Sequence, residues 1–213
     1  MYTRGNSMER KPASLPPAAF AGITGVLILI VIGMLWQNAQ NRPDIRGDWV
    51  SGGCEQLVSS TGDQASTQRR LQLTPNNWVL EQTFFSDAIC EKKAYSLQTV
   101  GVYEIGDPSE EVEGASHAEF IRKELHLTAF SMETAQVFEQ YRCGDTTWEP
   151  DITTIINKTG CTGLTPSIND CPSEFNLVKR DGDKLTLGDR SESLCERGEW
   201  PKRLDAVSLQ KSN

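Results

Sequence analysis

Charge is missing from residues 18–36, cysteine from the first 53 residues, and histidine from almost everywhere, the 213-residue chain having only His117 and His126. Those two stand nine apart with no cysteine beside either, and the six cysteines form no C-x-x-C pair, so no zinc-ligand spacing is present. The Gly-x-Ser-x-Gly elbow of a serine hydrolase is also missing, because Ser51 in "WVSGG" lacks the first glycine. No repeat at a fixed period and no low-complexity tract occurs. Basic residues are in short supply too. Beyond residue 43 there remain 17 Lys and Arg against 28 Asp and Glu, a net charge of −11. Nucleic acid and anionic headgroups reward a basic face, so neither is expected as the main partner.

What the chain does have is an apolar run, "AAFAGITGVLILIVIGMLW", Ala18 to Trp36. At about 1.5 Å per residue its nineteen residues make roughly 28 Å of helix, close to the hydrocarbon thickness of a bilayer. Pro16 and Pro17 suit a first helical turn, and Trp36 suits the far interface. A cleaved signal would have a shorter run and small residues before the cut, whereas the exit "WQNAQN" offers Gln37 and Ala39. The predicted organisation is a cytoplasmic segment at 1–17, a transmembrane helix at 18–36, a connector at 37–43 and one domain at 44–213. Arg4, Arg10 and Lys11 before the run, against Arg42 and Arg46 after it, lean toward that orientation. All six cysteines (Cys54, Cys90, Cys143, Cys161, Cys171 and Cys195) follow the run, as expected for disulfides in a periplasmic or extracellular compartment. Six allow fifteen pairings, and spacing does not choose among them.

The domain reads as strands. "NWVLEQTFF" alternates Trp78, Leu80 and Phe84 against Val79, Glu81 and Thr83, and "AYSLQTVGVYEI" groups Tyr95, Leu97, Thr99 and Tyr103. "EFNLVKRDGDKLTLG" is a hairpin turning at Asp181-Gly182, and "LDAVSLQ" is a last strand. "HAEFIRKELHLTAF" fits a strand pair or a helix. Ser59–Gln68 and Gly106–Gly114 read as loops, the latter carrying four carboxylates. Strands and turns at this spacing predict a mainly β fold, an antiparallel closed or nearly closed barrel stapled by disulfides. Its inward aromatics and leucines (Trp78, Leu80, Phe84, Tyr95, Leu97 and Tyr103) are the candidate apolar pocket, against the alternative of a dry, filled core.

"GDW" at the domain's start resembles the Gly-x-Trp opening of lipocalin-like barrels. That resemblance implies that Gly47 and Trp49 plug one end, with Arg203 in "PKRLDAV" as the covering cation. A longer series, from Trp49, Ser51, Cys54 and Glu55 through Asp87 and Cys90 to "CGDTTWEPDIT" and Cys171-Pro172, resembles the adenomatosis polyposis coli down-regulated protein family. The resemblance implies an extracellular, disulfide-bonded barrel; animal members are membrane-anchored inhibitors of Wnt signalling with a lipid-accepting barrel. Gln56-Leu57 after Cys-Glu, the missing proline after Cys90 and Trp200 before Pro201 depart from the family pattern.

No catalytic or metal constellation is read from the chain, and no cofactor is expected. Ser51 is read as a strand hydroxyl near a barrel rim. Asp181, Asp183 and Asp189 miss the EF-hand spacing, Asp87 suits a loop-ordering role through backbone amides, and Asn157 opens an N-x-T sequon. Two functions are expected. One is a membrane-tethered binding module for a lipid or acylated ligand. The other is an accessory subunit of a membrane protein complex, contacting it through residues 18–36, where Ala18/Gly22 and Ala21/Gly25 allow close helix approach.

Overall fold

Trp49 begins the sheet and the chain's last strand comes back to pair beside it, which is how the structure closes. The computed structural model describes residues 42–58, 64–190 and 193–212. The run at 18–36, the N-terminal segment and most of the connector lie outside these. Among the described residues no helix is long and apolar enough to cross a membrane.

Ten strands follow in chain order: β1 (Gly47–Ser51), β2 (Glu55–Val58), β3 (Gln64–Leu73), β4 (Trp78–Phe85), β5 (Lys93–Pro108), β6 (Ser116–Ala129), β7 (Thr153–Ile155), β8 (Ser173–Asp181), β9 (Lys184–Leu187) and β10 (Leu209–Lys211). Eight of them close an antiparallel ring, β1-β10-β9-β8-β6-β5-β4-β3, because β3 returns to pair with β1. β2 continues along β3 beyond β1, and β7 pairs the upper part of β6, so both stand off the ring. Closure removes most of the unpaired edge that an open sheet would present.

The alternation across β3 to β6 carries through the register. Leu73, Trp78, Gly101 and Arg122 stand on one rung, and Leu71, Leu80, Thr99 and Leu125 on the next. Arg69, Gln82, Leu97 and Leu127 make the third, and Thr67, Phe84, Tyr95 and Ala129 the fourth. All point to one face, since partners directly opposite share a side of the sheet. Two apolar clusters result. The lower holds Ile45, Trp49, Leu71, Trp78, Leu80 and Phe120. The upper holds Leu97, Leu125, Leu127, Phe138 and Trp148.

The segment "HAEFIRKELHLTAF" is a single strand, β6. A register shift, with Gly101 opposite Arg122 and Val100 opposite Glu124, keeps its apolar residues inward across the irregularity. Gly101 allows the close approach there: a Cβ on it would lie 1.9 Å from the Ile121 carbonyl oxygen. Strand β3 starts at Gln64, inside the stretch expected as loop, and β10 takes up only the end of the expected last strand. Among the described residues one helix, α1 (Met132–Gln140), covers the upper cluster with Ala135 and Phe138. Ser131 caps it, its Oγ accepting the Thr134 amide at 3.1 Å. Asp181-Gly182 turns the β8–β9 hairpin as expected, with Gly182 at φ 60°.

Three disulfides staple the barrel, Cys54–Cys90, Cys143–Cys161 and Cys171–Cys195. The first ties the β1–β2 corner to the β4–β5 turn, the second closes the loop over the upper cluster, and the third holds the 193–204 segment to the start of β8.

Candidate functional site

The barrel's lower end is plugged. Trp49 is fully buried, and its indole N–H donates to the Ile45 carbonyl at 2.8 Å. Gly47 sits at φ 144°, a conformation that favours glycine, so its role is backbone freedom where the chain turns into β1. The covering cation corrects the expectation for Arg203. Arg180, from the β8–β9 hairpin, lies 5.6 Å from the Trp49 ring centroid. Its guanidinium also reaches the Asp44 carbonyl. Arg203 pairs with the Asp189 carboxylate instead, because the chain places it beside the 188–190 turn. The motif pointed to Arg203 alone, and it is the β8–β9 hairpin that brings Arg180 to the ring in its place.

The six candidate pocket residues share the inward face, but they do not gather round one space. Trp78, Leu80 and Tyr103 belong to the lower cluster, where Trp78 packs edge-on to Phe120 at 5.0 Å and Tyr103 donates to the Thr74 carbonyl. Phe84, Tyr95 and Leu97 belong to the upper one. Between them the inward rungs turn polar with Arg69, Gln82 and Thr99.

Alternation already sets Thr99 on this face, whereas Arg69, in β3, carries no apolar signal of its own. Arg69 has a side chain only 4% exposed, and bonds Glu55 (2.8 and 2.9 Å), Asp205 (3.0 Å) and the Val207 carbonyl (3.3 Å). Ser51 accepts the Arg69 amide at 2.7 Å and donates to Glu55. Its hydroxyl is thus held by a carboxylate already engaged by a guanidinium. Arg122, also buried, donates to the Cys171 and Pro166 carbonyls and the Thr165 hydroxyl at 3.0–3.1 Å, leaving its Nε without a partner. Burial pulls its pKa down, and nearby Glu174 opposes the shift. Arg190 reaches Gln82 at 3.3 Å and Glu174 at 4.0 Å. Buried charges persist where they are compensated in this way.

Above the polar layer the surface is apolar again. Phe84 stacks on Tyr95 at 4.4 Å, Tyr95 meets Phe138 edge-on at 5.5 Å, and Phe138 meets Trp148 at 4.9 Å. Burial pushes the Tyr95 phenol up to about 12. Between α1 and the β4–β5 turn lies a groove of about 470 Å³, floored by Ala94, Tyr95, Val137 and Phe138. Lys92 and Lys93 stand on one rim and Glu133 on the other. Val137 and the neighbouring Met132 are well exposed.

The remaining sequence candidates are structural. Asp87 accepts the amides of Ile89, Glu91 and Lys92 at 2.7–3.1 Å, ordering the turn that carries Cys90. Desolvation pushes its pKa up, but those amides together outweigh it and leave it lowered. Asn157 accepts the Leu125 amide at 2.7 Å, and its Nδ2 faces the Lys123 carbonyl at 3.5 Å, so the sequon side chain braces the β6 irregularity. His126 pairs with Glu124 at 2.8 Å, and His117 stacks on Trp200 at 4.4 Å. Among the described residues no three His, Cys, Asp or Glu side chains are placed to hold a metal.

A comparison with curated proteins gives no match. A family model described as Adenomatosis polyposis coli down-regulated 1 matches residues 34–179. The match takes in Trp49, β1 to β7, most of β8 and the first two disulfides, and ends before β9 and β10 complete the ring. On that match and the closed, cross-linked barrel behind it, the chain belongs to the adenomatosis polyposis coli down-regulated family.

Proposed function

We propose that the protein is a membrane-anchored, extracytoplasmic binding module whose α1-side groove takes the apolar end of a lipid or acylated ligand. The observation that carries this reading is the groove itself. There the upper aromatic cluster opens to the surface through Tyr95 and Phe138, and Lys92 and Lys93 stand beside it to meet an acidic head. A groove of about 470 Å³ lies in the size range of small-ligand sites. The polar layer of Arg69, Gln82 and Thr99 bounds the ligand's depth, because an apolar tail gains nothing by passing buried charges. The anchor is the 18–36 run, and the disulfides support an oxidising compartment on the domain's side.

The reading is tested with the full chain in nanodiscs and a fluorescent fatty acid as probe. Saturable binding is expected, and Val137→Glu should abolish it while leaving the circular dichroism spectrum unchanged. No saturable binding, or binding indifferent to V137E, overturns it.

A second reading, an accessory subunit of a membrane complex, draws on β7. That strand pairs with β6 alone among the described strands, and its own Ile155 and the preceding Ile152 are 60% and 55% exposed. Mild-detergent purification should then recover a stoichiometric companion; a lone monomer counts against it.

A further inference from the structure

The opposite end of the barrel carries a second groove, which neither the plug nor the lipid reading uses. It holds about 610 Å³ between the tip of the β5–β6 hairpin and the 198–202 segment. A smaller one of about 310 Å³ adjoins it, and Asp107, His117 and Trp200 line both. The shared wall is aromatic and well packed. Trp200 lies flat on His117 with an interplanar angle of 14°, and Phe175 meets it edge-on at 5.3 Å. Pro201 after it is buried, and the Cys171–Cys195 disulfide ties the segment to β8.

Carboxylates surround this aromatic wall. Asp107, Glu110, Glu111 and Glu199 line the larger groove, and Glu104 and Glu119 the smaller. The cations that line the two are Lys202 and Arg42. Of these six carboxylates, Glu119 alone has an ion-pair partner among the described residues, Arg197 at 3.9 Å. In the polar layer, by contrast, Arg69 meets the carboxylates of both Glu55 and Asp205. Here an uncompensated acidic field lies along a preorganised aromatic face.

We propose that these joined grooves dock an extended, arginine-bearing segment of a partner polypeptide. A guanidinium is flat enough to stack against the Trp200–His117 pair, and its fork suits carboxylates. Acids on both sides of the stacked pair suit a chain with several cations better than a single small ion. The surface is independent of the lipid groove, so either can stand without the other.

The test uses the full chain in nanodiscs of zwitterionic lipid, with a fluorescein-labelled peptide of alternating arginine and glycine as probe, read by anisotropy. Saturable binding that weakens with salt is expected. Trp200→Ala should weaken it about three- to fivefold, the worth of one exposed cation–π contact. Because that change also touches packing, the triple variant E110Q/E111Q/E199Q is read beside it; all three residues are exposed, and the loss should be about tenfold. A control triple remote from the groove, E91Q/D145N/E149Q, should leave affinity unchanged. Equal loss in both triples would show attraction to net charge alone and overturn the proposal. So would no binding, or displacement of the peptide by choline at the same concentration as by free arginine.

Discussion

Arg69 shows what a single side chain can do in this barrel. It is buried on the inward face and holds together Glu55 of β2, Asp205 of the returning segment and the Val207 carbonyl. Removing one partner of a buried, compensated set leaves the others charged and unpaired. Arg69→Met is therefore expected to cost about 3–5 kcal/mol of stability, measured by urea denaturation. Tyr95 gives a pH signature. Its folded pKa of about 12 lies above the ordinary 10.0, so the unfolded chain releases the proton first as pH rises. The stability this contributes is complete below pH 10 and is lost as pH climbs toward about 12. Phenolate absorbance at alkaline pH should show a late step, missing in Tyr95→Phe. Tyr95 was visible in the sequence because large aromatics in alternation have few uses other than facing a core, and Trp49 through the Gly-x-Trp opening. It did not expose Arg69, since an arginine on an inward position looks the same as one on an outward position until its partners arrive from positions 55 and 205. The choice of Arg180 over Arg203 beside Trp49 was hidden for the same reason.

At the scale of elements, the long β5–β6 hairpin divides the interior. Its lower half closes the ring with β8, and its upper half extends past the ring to β7 and α1. Strand periods in "NWVLEQTFF" and "AYSLQTVGVYEI" were legible, as was the Asp181-Gly182 turn. The 122–125 irregularity was not, because inserting one residue breaks the period-two alternation on which a strand is recognised. That break is what left "HAEFIRKELHLTAF" open to a helical reading. Helix α1 went unread because nine residues give too few turns for a convincing apolar stripe. Its one strong cue was Ser131 ahead of Glu133. Ser131→Ala is expected to cost about 1 kcal/mol, seen as a lowered midpoint in thermal or urea unfolding. The same variant should also raise the dissociation rate of any ligand held between α1 and the β4–β5 turn.

The whole molecule depends on cross-links between parts distant in sequence. Cys54–Cys90 spans 36 residues, and the other two span 18 and 24. By loop-closure entropy each contributes about 3–4 kcal/mol, so Cys54→Ser/Cys90→Ser should lower the unfolding free energy by roughly that amount. Comparison under oxidising and reducing conditions checks it, because the reduced parent should approach the variant. That the six cysteines pair was legible from their number and their confinement to one side of the apolar run. Which pairs with which was not, since the sheet order decides it.

The seam between β1 and β10 has a consequence for biogenesis. Trp49 faces Lys211 across it, and the Ser212 amide reaches back to the Asp48 carbonyl. Synthesis runs from the amino end, so β1 waits with one side bare until β10 at Leu209–Lys211 has emerged. A stop codon anywhere before Leu209 would leave that seam unzipped for good, and such a product is expected to stick to its own kind or be cleared by proteases.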